Sequence, residues 1–516
     1  MSNSRLLAQT SMQGSKSGYK KGFIGVLDLG TTSIRFILFN LDGSIHAQAF
    51  QTIKQSYPRS GWVEEDLDEI WHSARLVIDG AIDKGNIEAR QILALGITNQ
   101  RESVAMWDSE TGKPLGKLIV WQDRRTSGKC RELHIKGLEK AIHQKTGLTI
   151  DPYFSATKIG WMLENNKNIR KLAEQGKASF GTVDSFIIYK LNGKHITDYS
   201  NASRTLLFNI KDLQWDKQLL EIFGVPPKIL PRAAPSYGPD IYGNTDKHSP
   251  FGTEIPIAAV FGDQQAALFG HHCFKKGDVK STFGTGSFIM MNSGKDRIFS
   301  KNGLLSTIFY GNGRDVYYAL EGSVYNTGSI LQWLKEGLGI ISDYKDVEFL
   351  AKGQDYQKDL FLVPALTGLG APYWDPYARG MIIGLTRATN KGQIARAALE
   401  AIAYRTLDVL NVMEKETDLY IDAIKVDGGV TQNKLFCQIL ADITGKKIKK
   451  LDIQEITALG AMFGAGLSLG LWDSRHLIKE NASYEEYLPD MNASFRNLLY
   501  SRWQKAVAKA RNWAEE

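Results

Sequence analysis

Two stretches of the chain share one pattern of hydrophobic and polar positions: a strand-like run, a turn rich in Gly, Thr and Ser, and a run of mostly apolar residues. In the first stretch, residues 23–28 lead into Gly30-Thr31-Thr32-Ser33, and the apolar run 34–39 follows. In the second, residues 278–282 lead into Phe283-Gly284-Thr285-Gly286-Ser287, and the apolar run 288–292 follows. Apolar runs bounded by such turns are typical of β-hairpins. The repetition predicts two domains descended from one fold, beginning near residues 23 and 274.

Helical periodicity appears between the strand-like runs. One apolar face is predicted by residues that recur at steps of 4, 4, 7 and 4, namely Ile394, Ala398, Ile402, Val409 and Met413. The Ala- and Gly-rich run 458–469 predicts a helix whose small residues allow a close neighbour, and 497–513 predicts a basic C-terminal helix docked on the second domain. Strands that alternate with helices predict an α/β layered fold.

Composition narrows the class of protein. The 516 residues are 43% hydrophobic and 23% charged, which is ordinary for a globular protein with large buried cores. The net charge of +7 includes four basic residues in the first 22 positions, and no basic block follows, so nucleic-acid binding is not expected. No apolar run reaches the roughly 18 residues that a membrane-spanning helix needs.

The N-terminal segment and the cysteines indicate the cellular compartment of the protein. Residues 1–21 lack the apolar core of a signal peptide, and we predict a disordered tail there. Cys130, Cys273 and Cys437 are odd in number and far apart, unlike a disulfide framework or a zinc knuckle. These features predict reduced thiols in a cytoplasmic protein.

The first Gly-Thr turn has the parts of a phosphate cradle. Gly30 permits tight backbone geometry, and the amides and hydroxyls of Thr31, Thr32 and Ser33 can donate to phosphate oxygens. Asp28 can hold Mg²⁺ through its water shell, because Mg²⁺ keeps several waters and needs only one or two carboxylates. Taken alone, such a turn is more often an ordinary β-turn. Its repetition at 284–286, and a third glycine turn at 427–429, favour phosphate binding.

Other phosphate-binding motifs are missing from the sequence. It contains no G-x-x-x-x-G-K-[ST] loop, no G-x-G-x-x-G fingerprint and no protein-kinase H-R-D or D-F-G element. A nucleotide would therefore be held by the hairpin turns.

Six segments carry a resemblance to a known family: 96–102, 120–125, 151–155, 197–204, 262–267 and 367–376. Through them the chain resembles the FGGY carbohydrate kinases over about residues 22–472. The resemblance implies two RNase H-like α/β domains flanking a central cleft, at 22–272 and 273–475, with a C-terminal helical extension at 476–516. It also implies ATP-dependent phosphorylation of glycerol to sn-glycerol 3-phosphate, with ATP and Mg²⁺ as cofactors and ADP as a product.

The resemblance also implies roles for individual residues, with Asp263 as the general base. Carboxylates suit glycerol because they accept from its hydroxyls, and aromatic rings can cover its C–H edge. The residues implied to bind glycerol are Arg101, Glu102, Trp121, Tyr153, Asp263, Gln264 and Phe288. Those implied to bind the nucleotide are Thr31, Thr32, Ser33, Arg35, Thr285, Gly328, Gln332, Gly429 and Asn433.

The sequence leaves other roles for these residues, and other functions for the chain, open. Taken singly, Arg101 and Glu102 are typical of a surface ion pair, Trp121 of core packing and Arg35 of a solvated strand residue. A kinase for dihydroxyacetone, erythritol or a pentulose would fit the same fold, as would, more distantly, an actin- or chaperone-like ATPase.

The resemblance carries two further expectations. Members of the family form dimers and tetramers, so we expect a homodimer or homotetramer. Some bacterial members are inhibited by a sugar bisphosphate, bound through an arginine just before an Ile-Pro strand. Here Glu254 precedes Ile255-Pro256, which predicts weak or absent inhibition because a carboxylate repels phosphate.

Overall fold

The computed structural model describes residues 22–451, 453, 455–472 and 484–515. The tail predicted at 1–21 therefore lies outside the described residues. The chain forms two compact units. Unit 1 holds the described residues within 1–272, 307–318 and 455–480, and unit 2 holds those within 273–306, 319–454 and 481–516.

The strands are β1 (Phe23–Leu29), β2 (Ser33–Phe39), β3 (Ile45–Thr52), β4 (Glu64–Glu65), β5 (Ile92–Asn99), β6 (Ala105–Asp108), β7 (Leu118–Ile119), β8 (Ala178–Gly181), β9 (Ile196–Asp198), β10 (Phe208–Asn209), β11 (Gln214–Trp215), β12 (Arg232–Ala234), β13 (Ile257–Gly262), β14 (Val279–Phe283), β15 (Ser287–Gly294), β16 (Leu305–Gly311), β17 (Val316–Val324), β18 (Phe361–Val363), β19 (Met381–Ile383), β20 (Ala423–Asp427), β21 (Lys447–Leu451) and β22 (Tyr484–Tyr487).

The α-helices are α1 (Leu67–Gly85), α2 (Ser127–Ile135), α3 (Glu139–Thr146), α4 (Ser155–Asn165), α5 (Lys167–Gln175), α6 (Val183–Asn192), α7 (Tyr199–Ala202), α8 (Lys217–Phe223), α9 (Asp263–Gly270), α10 (Gly328–Gln332), α11 (Asp346–Ala351), α12 (Lys391–Thr417), α13 (Lys434–Thr444), α14 (Ile456–Ser468) and α15 (Ala493–Ala510). Short 3₁₀ segments occur at Ala89–Gln91, Pro227–Ile229 and Gly429–Gln432, and a π-helical turn at Trp333–Gly337.

Unit 1 is built on a five-stranded sheet in the order β13-β5-β1-β2-β3. β1 and β2 are antiparallel, as predicted, and their register places Asp28 opposite Arg35. β5 lies parallel to β1 on its other side, and β13 lies parallel to β5. The parallel strands β1, β5 and β13 therefore end at the same edge of the sheet, which brings the residues that follow them together.

Unit 2 repeats this arrangement. Its strands β15, β14, β20, β21 and β22 lie side by side in that order. β14 pairs antiparallel with β15 and parallel with β20, and β21 lies parallel to β20. The hairpin followed by parallel strands has the same directions in both units, which confirms the predicted internal repeat and the α/β fold class.

Small residues decide where α14 packs. An added Cβ at Gly460 would lie 1.9 Å from Ala266 O, and one at Gly270 would lie 2.2 Å from Ile456 O, so α9 and α14 touch through their backbones. Gly96 of β5 is similarly close to Ala461 O, at 2.8 Å. The close packing predicted for the Ala- and Gly-rich helix is therefore present, and it assigns α14 to unit 1 although this helix follows unit 2 segments in the sequence.

The core of unit 2 surrounds α12, which confirms the helix predicted from periodicity. α12 is more buried than one apolar face implies. Even its ion pair between Arg405 and Asp408 is buried. The C-terminal helix α15 packs here as predicted: the Trp503 ring stacks on Tyr404 at 5.1 Å, and its indole N–H donates to Asp408. Within the described residues, no helix is both long and apolar enough to cross a membrane.

Candidate active site

The turn after β5 carries two buried charges. Arg101 is 2% exposed and Glu102 is 1% exposed, so the surface ion pair that these residues suggest individually is excluded. Glu102 adopts the left-handed region, with φ of 62°, which a residue other than glycine rarely occupies. Arg101 Nε lies 3.9 Å from Glu102 Oε1 and 3.1 Å from Asp263 Oδ1. One guanidinium therefore faces two of the predicted carboxylates.

Asp263 is the first residue of α9, directly after β13. Its Oδ1 accepts from the Gln264 backbone N–H at 2.7 Å, and its Oδ2 accepts from the Gln264 side-chain amide at 3.2 Å. An added Cβ at Gly262 would lie 2.8 Å from the Arg101 side chain, so only glycine permits this close approach. The end of β13 thus brings the predicted base beside the predicted substrate-binding arginine.

Two aromatic residues join this group. Tyr153 Oη lies 3.5 Å from Arg101 Nη2, and the Trp121 and Tyr153 rings meet edge to face at 5.6 Å. The Trp121 indole N–H donates to Thr31 Oγ1 at 3.0 Å. Trp121 is half-buried, and it connects the predicted glycerol residues with the predicted phosphate turn inside unit 1.

Arg204 is a functional candidate that the sequence did not reveal. Its side chain is 0% exposed, and its Nε donates to Glu102 Oε1 at 2.6 Å. Arg204 lies in the segment 197–204 that supported the family resemblance, but nothing in the local pattern ties it to a residue 102 positions earlier. It supplies a positive charge that holds the Glu102 carboxylate in place.

The phosphate turn of unit 1 is shaped by its backbone. The Gly30 N–H donates to Ser33 O at 3.0 Å, which closes the turn between β1 and β2. Thr32 is exposed, while Thr31 and Ser33 are half-buried. Their hydroxyls and amides lie at the end of β1, where Asp28 and Arg35 also lie.

Asp28 and Arg35 have charged neighbours from another element. Burial raises the pKa of the Asp28 carboxyl to about 7, the Arg35 guanidinium opposes this rise, and the carboxylates of Glu455 and Asp263 add to it. Arg35 Nη1 lies 2.6 Å from Glu455 Oε2. Arg35, whose side chain is 39% exposed, is thus ion-paired with Glu455, a residue that sequence reasoning missed.

The glycine turns of unit 2 form a compact loop cluster. The Gly328 N–H donates to Gly284 O at 2.9 Å, and the Thr327 N–H donates to Thr285 O at 3.0 Å. An added Cβ at Gly328 would lie 2.6 Å from Gly284 O, and one at Gly428 would lie 2.4 Å from Phe283 O. The close approaches explain why glycine occupies these positions.

The remaining predicted residues of unit 2 vary in their surroundings. Gly429 is exposed, with no atom within 4 Å of an added Cβ. The Gln332 amide donates to Glu336 at 2.9 Å, and the Asn433 side chain accepts from the Phe436 N–H at the start of α13. Phe288, the seventh residue predicted to bind glycerol, is half-buried on β15 of unit 2. The other six all lie in unit 1: Arg101, Glu102, Trp121, Tyr153, Asp263 and Gln264.

Comparison with known proteins agrees with this architecture. The model of the FGGY family of carbohydrate kinases, N-terminal domain, matches residues 23–270, and the model of the C-terminal domain matches residues 279–469. Among curated relatives, glycerol kinase of Petrotoga mobilis is 49% identical over 497 residues, which cover 96% of this chain and 99% of that protein. Glycerol kinase of Natranaerobius thermophilus is 46% identical over 498 residues, 96% of this chain and 100% of that protein.

Solved structures show the same fold. The crystal structure of Plasmodium falciparum glycerol kinase with ADP matches with a TM-score of 0.88 at 33% identity, covering 95% of this chain and 98% of that one. Ligand-bound xylulose kinase from Lactobacillus acidophilus matches with a TM-score of 0.83 at 25% identity, covering 95% of this chain and 99% of that one. Since the two family models together span most of the sequence and the relatives align over nearly their whole length, this chain belongs to the FGGY family of carbohydrate kinases.

Proposed function

We propose that this chain transfers the γ-phosphate of ATP to glycerol, forming sn-glycerol 3-phosphate and ADP. The observation that carries the proposal is the buried Arg101 side chain, which faces the carboxylates of both Glu102 and Asp263. The substrate is supported by the glycerol kinases that are 49% and 46% identical to this chain.

A small triol suits the polar groups of unit 1. The carboxylates of Glu102 and Asp263 accept hydroxyl protons, and the Gln264 side-chain amide donates to an oxygen. The edge-to-face rings of Trp121 and Tyr153 offer an apolar surface to the carbon chain. A site with this many buried polar groups rejects a ligand that lacks the hydroxyls, because those groups would be left unpaired. We include Phe288 of unit 2 as a further apolar contact.

Asp263 is the proposed general base, through one particular oxygen. Its Oδ1 already accepts from the Gln264 N–H and faces Arg101. Among the described residues, Oδ2 accepts only from the Gln264 side-chain amide, at 3.2 Å, so Oδ2 is better placed to accept a further proton. In the proposed step, Oδ2 takes the proton of a terminal glycerol hydroxyl, that hydroxyl oxygen bonds to the γ-phosphorus, and the bond from the γ-phosphorus to ADP breaks. A positioned base contributes about 10²–10⁴-fold.

The Asp28 carboxylate fits a role in holding Mg²⁺ through water. Within the described part of the chain it receives no hydrogen bond, and burial raises its pKa to about 7, so a nearby cation would favour its charged form. When bound, Mg²⁺ supplies neutralisation of charge on the transferring phosphate. The hydroxyls of Thr31, Thr32 and Ser33 are proposed donors to phosphate oxygens, with Arg35 released from Glu455 to join them.

The nucleotide contacts of unit 2 remain part of the proposal. They are supported by the glycine turns, whose backbones approach too closely for any side chain at Gly328 and Gly428. A dimer or tetramer is likewise proposed, and analytical ultracentrifugation would measure it. The residues proposed to contact the nucleotide from this unit are Thr285, Gly328, Gln332, Gly429 and Asn433.

A substrate screen tests the proposed reaction. ADP release would be measured with glycerol, dihydroxyacetone, erythritol and a pentulose, and the glycerol product identified by mass spectrometry and stereospecific oxidation. Glycerol is expected to give the highest kcat/KM. Efficient turnover of a longer sugar with negligible glycerol turnover would instead identify another kinase of the family. ATP hydrolysis that requires a peptide or polymer would indicate an actin-like or chaperone-like ATPase.

Asp263→Asn tests the base. This variant should lose about 10²–10⁴-fold in kcat while the Kd for ATP changes little, since the amide cannot accept the proton. Asp79→Asn, at an exposed position on α1, is the matched control and should retain full activity. Phosphoryl transfer by Asp263→Asn at the unmodified rate would refute the assignment.

A further inference from the structure

Lys158 is a buried cation that the proposed chemistry does not use. It lies in the first turns of α4, and its surface is 0% exposed. Its Nζ donates to the backbone carbonyls of Pro152, Tyr153 and Phe154, at 2.8 Å from Tyr153 O and 3.3 Å from Phe154 O. An ammonium has three donors, so all three are used on the loop that immediately precedes the helix.

This position is costly for a lysine. Burial lowers the pKa of Lys158 to about 8, and the neighbouring acidic groups of Asp123, Glu102, Asp151 and Cys130 oppose the fall. The N-terminus of a helix also carries partial positive charge, which disfavours a cation there. Apolar packing would hold a loop at lower cost than a desolvated charge. The charge therefore points to a requirement beyond stability.

The loop held by Lys158 carries a residue of the candidate active site. Tyr153 lies in its middle, with Oη 3.5 Å from Arg101 Nη2. Ser155, one turn before Lys158 on α4, donates from its hydroxyl to Glu102 O at 2.8 Å. The start of α4 is thus bonded to both the Tyr153 loop and the strained Glu102 turn.

We propose that Lys158 is a positioning residue for substrate binding, which fixes the Tyr153 phenol beside Arg101 by holding the carbonyls of residues 152–154. This inference rests on the proposed glycerol site and adds α4 as a determinant of affinity. Lys158 contacts no substrate and acts through Tyr153. Its loss is expected to raise the KM for glycerol and to leave the KM for ATP nearly unchanged.

A double-mutant cycle tests the coupling. Lys158→Met should raise the KM for glycerol about tenfold, the effect of roughly one lost hydrogen bond, with the KM for ATP within about twofold. In a Tyr153→Ala background, Lys158→Met should add less than about twofold, because its target is gone. Lys446→Met is the control: Lys446 is also buried and pairs with Glu414 at 2.6 Å in unit 2. An unchanged KM for glycerol, or an equal rise in the Tyr153→Ala background, would overturn the proposal.

The unmodified protein offers a second measurement that needs no folded Lys158→Met variant. Since the pKa of Lys158 is about 8, raising the pH from about 7 to about 9.5 should remove one donor and raise the KM for glycerol. Lys158→Arg keeps its charge throughout this range and should show no such rise. A flat KM in the unmodified protein, or the same rise in Lys158→Arg, contradicts the positioning role. Failure of the unmodified protein to phosphorylate glycerol would instead refute the proposed function.

Discussion

Replacing Arg204 by leucine should destabilise unit 1 by about 3 kcal/mol. Arg204 and Glu102 form a buried ion pair, with side chains 0% and 2% exposed and Nε–Oε1 at 2.6 Å. Removing one partner of such a pair costs roughly 3–5 kcal/mol, because the other charge stays buried without compensation. Arg101 Nε lies 3.9 Å from the same carboxylate and offsets part of the loss, so the lower end of that range is expected.

Urea unfolding followed by tryptophan fluorescence would measure this change. The decisive comparison is with the double variant Glu102→Gln/Arg204→Leu, in which no buried carboxylate is left without its partner. It should be at least about 1 kcal/mol more stable than Arg204→Leu alone. Arg170→Leu is the matched control, because Arg170 pairs with Glu174 at 2.7 Å but both side chains are exposed, at 42% and 58%. That exposed pair should contribute less than about 0.5 kcal/mol.

Two results would refute this reasoning. If Arg204→Leu lost less than about 1 kcal/mol, the buried Glu102 carboxylate would not depend on Arg204. If the double variant were no more stable than Arg204→Leu, the cost would come from the cavity left by the arginine and not from its charge.

Three further variants or conditions probe the same unit. Trp121→Phe keeps a ring but removes the indole donor to Thr31, so kcat should fall about fivefold for one lost hydrogen bond; an equal fall when Trp121→Phe is made in a Thr31→Val background would contradict this link. Burial raises the pKa of Asp28 to about 7, so lowering the pH from about 8 to 6 protonates the carboxylate proposed to hold Mg²⁺, and the KM for magnesium–ATP should rise. A KM independent of pH would argue against Asp28 as the magnesium residue. Burial also raises the pKa of Glu65 from 4.5 to about 7, so its contribution to stability is present below pH 4.5 and lost as the pH rises through 7. Glu65→Gln should therefore raise the free energy of unfolding by up to about 3 kcal/mol at pH 8 and change it little at pH 4.5, as urea melts at both pH values would measure; equal stabilities of the variant and the unmodified protein at pH 8 would contradict this sign.

Local sequence patterns predicted those helices and hairpins that depend on residues close together in the sequence. The β1–β2 and β14–β15 hairpins, α12 and the close packing of α14 all follow from periodicity, turn residues and side-chain size. The grouping of Arg101, Trp121 and Asp263 was implied by the family resemblance alone. The periodicity of the sequence does not show that residues 101 and 263 follow neighbouring parallel strands. Their proximity follows from the order of strands in the folded sheet.

The partners of the charged residues could not be predicted from the sequence. Glu455 pairs with Arg35 across 420 positions, and Arg204 with Glu102 across 102. An ion pair needs only opposite charges at one place in space, so each arginine has many candidate partners in a sequence with 56 acidic residues. Similarly, Lys158 follows Tyr153 closely in sequence, yet a lysine near a helix start normally reaches solvent. Only the packing around α4 reveals that this one turns inward.

The cost of these buried groups is itself evidence for function. Arg101, Glu102, Lys158 and Arg204 are all desolvated, and Glu102 also occupies a backbone region that costs of order 1–3 kcal/mol. Apolar residues of similar volume often make a core equally stable or more so. Stability alone therefore does not explain four buried charges within one small part of unit 1. The proposed glycerol site would explain them, because its carboxylates need fixed orientations and those orientations require partners that are buried as well.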